Sequence, residues 1–88
     1  MIERNVTVVN KLGIHARPAG SIVRAAAKFK SKVELVKDGV AADAKSIMSV
    51  MMLAAAKGTV ISVRADGEDE QEAVQAVIEL FDGKFSEE

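Results

Sequence analysis

Residues 33–44 read Val33-Glu34-Leu35-Val36-Lys37-Asp38-Gly39-Val40-Ala41-Ala42-Asp43-Ala44. Val33 and Leu35 alternate with Glu34, the period of a strand that buries one face. Asp38-Gly39 is the kind of pair a tight primed turn demands, because its central residues need positive φ. Val40, Ala42 and Ala44 then return as a partner strand. The stretch predicts an antiparallel hairpin.

Working upstream, Ala19, Ile22, Val23, Ala26 and Phe29 recur at helical spacing, which predicts a helix from Ala16 to Phe29. Lys28, Lys30 and Lys32 suit the negative pole at its end. Lys11–His15 reads as a loop around Gly13, and Val6–Val9 as a first strand with Val6 and Val8 on one face. Downstream, Ser46 can cap a short helix from Ile47, and Gly58 is expected to end that segment. Ile61, Val63 and Ala65 alternate with Ser62 and Arg64 as a fourth strand. Asp69 followed by Glu72 has the form of a capping box. Behind it, Ala73, Val74, Val77, Ile78 and Phe81 make the inner stripe of a last helix. The order β-α-β-β-α-β-α predicts an α+β fold, an open-faced β-sandwich. It is a four-stranded antiparallel sheet with three helices on one face, in a single domain over residues 1–88.

Composition narrows the function. With 49% apolar and 28% charged residues the chain has the make-up of a folded globular protein. It contains no Cys and one His, so disulfides and the usual transition-metal shells are not expected, and no metal or cofactor is assigned. The apolar block Val50–Ala56 is too short to span a bilayer, and Glu3 and Arg4 interrupt any signal-peptide pattern. A cytoplasmic protein without membrane insertion is expected. The net charge is −1, basic residues are scattered, and Trp and Tyr are absent, which argues against nucleic-acid binding.

The one histidine stands in Gly13-Ile14-His15-Ala16-Arg17-Pro18-Ala19. Pro18 lacks an amide hydrogen and has a fixed φ, so it belongs in a first helical turn. That puts His15 near the N-cap, with the amides of Ala16 and Arg17 directed outward without helical acceptors. The positive end of a helix disfavours imidazolium, and the neutral ring is the nucleophile. The same end stabilises the anion created when the ring carries a phosphoryl group, by about 0.3–1 kcal/mol. Arg17 adds a charge-assisted contact through its planar fork. Such a site can hold a phosphoryl group without trapping it, as a relay requires. Read by itself, one histidine before a helix also suits a cap or a solvated surface residue, and the residues alone leave both open.

Ile47 to Ala56 is apolar nearly all round, more than one buried face needs. Val50 and Leu53 are expected in the core. Ile47, Met48 and Met51 are expected to dock partners, methionine being adaptable to several surfaces.

The stretch Gly13–Ala19 resembles the active-site signature of the HPr family, the histidine phosphocarriers of the bacterial phosphoenolpyruvate-dependent phosphotransferase system. Ala44-Lys45-Ser46-Ile47-Met48 resembles the family's second signature, around a regulatory serine. Lys57-Gly58 and Gly67-Glu68-Asp69-Glu70 are similar to its fourth strand and last helix start. The resemblance implies the open-faced sandwich. It also implies transfer of phosphate from Enzyme I to the EIIA domains of sugar transporters, carried on Nδ1 of His15 with Arg17 as the active-site arginine. It makes Ser46 a candidate substrate of an HPr kinase/phosphorylase, where a phosphate at a helix start would add about −2 charge to a docking surface. By the residues alone, Ser46 is equally a simple cap. The chain is expected to be a stoichiometric phosphotransfer protein rather than a turnover enzyme, and a monomer with small, transient partner contacts.

Some positions depart from the pattern. Gly20 interrupts the first helix, Asp43 stands where many relatives carry Asn, and Ser49 and Met52 differ from common sugar-branch patterns. Met51–Gly58 and Leu80-Phe81-Asp82 resemble the nitrogen-related paralogue NPr. A nitrogen-branch carrier, or a binding module controlled by phosphorylation, is therefore the alternative reading.

Overall fold

The computed structural model describes residues 1–86. The elements are β1 (Ile2–Thr7), α1 (Ala16–Ala26), β2 (Lys32–Lys37), β3 (Val40–Asp43), α2 (Ile47–Met52), β4 (Val60–Asp66) and α3 (Glu70–Asp82), followed by a 3-10 turn at Lys84–Ser86. The hairpin forms as its sequence predicts, with Lys37 opposite Val40 and positive φ at Asp38 and Gly39. The four strands lie in the order β1-β4-β2-β3, and every pairing is antiparallel. β4 is the central tie, pairing with β1 on one side and β2 on the other.

Alternation decides which face is covered. Val33 and Leu35 of β2 and Ile61, Val63 and Ala65 of β4 are buried beneath the helices. They meet Ala19, Ile22 and Ala26 of α1, Ala73, Val74, Val77 and Phe81 of α3, and Val50 of α2 in one core. Val23, Phe29 and Ile78 pack partly buried at its margin. Phe85 closes the far end, its ring edge-on to Phe81 at 4.9 Å between centroids. The opposite face of the sheet is open and charged. Arg64 lies in register with both Glu3 and Glu34, at 3.7 and 4.0 Å. Such partly exposed cross-strand pairs contribute modest energy and keep this face charged.

Several boundaries differ from the sequence reading. β1 begins at Ile2 rather than Val6 and ends at Thr7. Its alternation is masked by Arg4, which falls between Ile2 and Val6 and shares a shallow surface depression with Gln71, Gln75 and Glu79 of α3. α1 stops at Ala26, and the following turns tighten, Lys28 and Phe29 donating to the carbonyls of Ala25 and Ala26. Lys32 therefore sits in β2, not at a helix end, and Lys45 Nζ caps this region by donating to the Phe29 carbonyl at 2.8 Å.

α2 does not run to Gly58. It ends at Met52, and Ala54 takes the positive φ of 51°. Tertiary bonds claim the next carbonyls: Lys37 Nζ donates to Leu53 at 2.9 Å and Ile14 N–H to Ala55 at 2.9 Å. The expected capping box at Asp69 is also absent. The Asp69 carboxylate turns away from its own helix to the amides of Lys30 and Ser31, and Glu70 accepts from Gly67 N–H in its place.

Candidate functional site

His15 is the N-cap of α1, with extended backbone angles (φ −89°, ψ −167°) and a half-buried side chain. Its carbonyl already accepts Ala19 N–H at 3.0 Å, the first bond of the helix. Ala16 and Arg17 are the first two helical residues, so their N–H groups have no acceptor within the helix. Both residues are exposed, and Pro18 is buried at the third position, where no donor is needed. The arrangement gathers an imidazole, two amides without helical acceptors and an exposed arginine at one helix start. It suits an anion beside the imidazole.

The loop leading into His15 is anchored rather than free. Val8 N–H donates to the Thr59 carbonyl and Gly58 N–H to that of Val8, at 2.9 and 2.7 Å. Asn10 is completely buried, and its Nδ2 donates to the Gly13 carbonyl at 2.6 Å. Gly13 has φ +70°, and a Cβ there would lie 2.5 Å from the Ala55 carbonyl oxygen. Leu12, at the tip of this loop, is 74% exposed. No motif marks it; an apolar residue at a loop tip three positions before His15 is the signal the sequence offers.

α2 supplies the neighbouring surface. Ser46 is its N-cap, and Oγ accepts Ser49 N–H at 3.3 Å. Val50 and Leu53 are buried, as their spacing predicts, while Ile47, Met48 and Met51 are exposed together with Met52. Gly20 is where the two helices approach. A Cβ on it would stand 3.8 Å from Ile47 Cδ1 and 3.2 Å from the Arg24 guanidinium, which folds back over the bare backbone. His15 and Ser46 therefore cap two adjoining helices. Among the described residues, no helix is long and apolar enough to cross a membrane.

Known proteins resemble this chain over nearly its whole length. Residues 2–82 match the model of the PTS-HPr family, described as the PTS HPr component phosphorylation site. A phosphocarrier protein HPr of Xylella fastidiosa (strain Temecula1) is 53% identical over 87 residues, covering 99% of this chain and 98% of that protein. The crystal structure of an HPr from Thermoanaerobacter tengcongensis superposes with a TM-score of 0.96 at 43% identity, over 100% of this chain and 99% of that one. Crh of Bacillus subtilis, described as a swapped dimer, superposes at 0.72 with 43% identity, over 100% and 97% of the two chains.

Proposed function

This chain belongs to the HPr family and is a phosphocarrier protein of the phosphotransferase system, and we propose that it carries the group on His15, received from Enzyme I and passed to EIIA domains. The observation that supports this most is the seat of His15 as N-cap of α1, half-exposed beside two amides without helical acceptors. The unprotonated ring nitrogen attacks phosphorus in line. An N–P bond forms, the donor's bond to phosphorus breaks, and that electron pair stays with the donor. The Ala16 and Arg17 amides and the Arg17 guanidinium neutralise the phosphoryl oxygens. Delivery to EIIA reverses these steps with a new acceptor.

Ile47, Met48 and Met51 are the docking residues of this proposal, beside α1 and exposed for transient contact. Ser46 is its regulatory position: a phosphate there would add charge next to that surface. The working unit of this proposal is the single cytoplasmic chain, for which small, transient partner contacts suffice. The NPr-like stretches keep a nitrogen-branch role, or a phosphorylation-dependent binding module, as the second reading. The test is incubation with Enzyme I and phosphoenolpyruvate. The expected product carries one acid-labile phosphoryl group, absent in His15→Ala. Failure of the wild-type chain to label would overturn the proposal, and transfer to sugar-type against nitrogen-type EIIA separates the two branches.

A further inference from the structure

The peptide unit between Gly13 and Ile14 is held at both ends. Its carbonyl oxygen accepts Asn10 Nδ2 at 2.6 Å, and its N–H donates to the Ala55 carbonyl at 2.9 Å. Gly13 N–H also donates to the Asn10 carbonyl at 3.1 Å, so residues 10 to 13 form a closed turn with Asn10 on both sides of it. Gly13 presses this turn against Ala55, leaving no space for a Cβ. The clamped unit lies one residue before His15. A peptide plane has no internal freedom, so fixing both of its polar ends leaves only the φ and ψ of Ile14 between the clamp and His15. Ile14 is itself buried.

We infer that Asn10 is a positioning residue for phosphoryl transfer: its buried side-chain amide sets the pose of His15 through the Gly13–Ile14 peptide. This rests on His15 being the phosphoryl acceptor. An asparagine suits the task because the contact needs an N–H donor toward a buried carbonyl. A carboxylate of the same shape would set two acceptors against each other. In-line transfer is sensitive to placement, and a shift of about 1 Å costs on the order of a hundredfold in rate.

The experiment measures transfer from Enzyme I as a function of carrier concentration, for wild type, Asn10→Ala, Asn10→Asp and Asn10→Ser. Backbone amide spectra establish that each variant is folded. The Ala and Asp variants should lose roughly 10–100-fold in kcat with KM nearly unchanged, since the docking surface is intact. Ser, which keeps a donor, should recover part of the loss. A folded Asn10→Ala that transfers at the wild-type kcat overturns the inference. If wild type itself gains no acid-labile phosphate, the assignment of His15 has failed instead. Should the variants not fold, hydrogen exchange on wild type decides. Protection of the Asn10 side-chain amide and Ile14 N–H in both the free and phosphorylated forms supports the clamp, and rapid exchange of either overturns it.

Discussion

Ser31 Oγ donates a hydrogen bond to the carboxylate of Asp69, a partner 38 residues away in sequence, and the amides of Lys30 and Ser31 converge on the same group. The turn after α1 is thereby clipped to the start of α3. The hydrogen bonds from Ser31 Oγ and Lys30 N–H pull the Asp69 carboxyl down from its ordinary 3.8 to about 2.

A carboxyl held low in the folded state binds its proton more readily once unfolded. Its stabilising contribution is complete above the unfolded value near 3.8 and disappears as pH falls through about 2. Asp69→Asn should therefore lower Tm at neutral pH and flatten the fall in Tm between those two values. Thermal melts at several pH values check this, and an unchanged slope would show that the clip does not act as described.

Arg17 is exposed at the second position of α1, where its planar fork can span two phosphoryl oxygens. Arg17→Lys keeps the charge but not the fork. The variant should transfer more slowly than wild type by roughly tenfold, and Arg17→Ala by on the order of a hundredfold, with little change in Tm. Rapid-quench measurement of phosphoryl transfer gives the ranking; equal rates for all three would exclude the guanidinium.

Ser46→Ala removes the acceptor for Ser49 N–H at the head of a six-residue helix and should cost about 1 kcal/mol. Ser46→Asp retains an acceptor and should be within about 0.5 kcal/mol of wild type. Urea denaturation separates the two. If Asp destabilises as much as Ala, capping is not the structural role of this side chain.

Gly20→Ala is predicted to stabilise the protein. A Cβ at this site meets only the movable tips of Arg24 and Ile47, at 3.2 and 3.8 Å. Relief of the helical glycine penalty, roughly 0.5–1 kcal/mol, outweighs a small shift of the guanidinium. A fall in the urea midpoint would mean that the contact with Arg24 cannot relax.

The sequence disclosed what depends on local chemistry. Val33, Leu35, Ile61, Val63 and Ala65 alternate and are buried, Asp38-Gly39 turns the chain, and His15 takes the N-cap set up by Pro18. What escaped it depends on distant partners. Ala54–Ala56 has every propensity for helix, yet Ile14 and Lys37 take the Ala55 and Leu53 carbonyls and end α2 early. Asp69 looks like a capping residue until Ser31, from another element, claims its carboxylate. Asn10 gives no motif at all, because its significance lies in a carbonyl three residues on and in the burial of its side chain. Gly20 could be seen as unusual, but only the packing of Ile47 and Arg24 shows what faces it.

The strand order β1-β4-β2-β3 also governs assembly. The β2–β3 hairpin joins neighbours in sequence and can close within microseconds. β1, though made first, has no sheet partner until residues 60–66 exist. Because β4 pairs with both β1 and β2, the sheet cannot close until this last strand is in place, so its pairings all join segments distant in sequence, the kind of contact that slows folding.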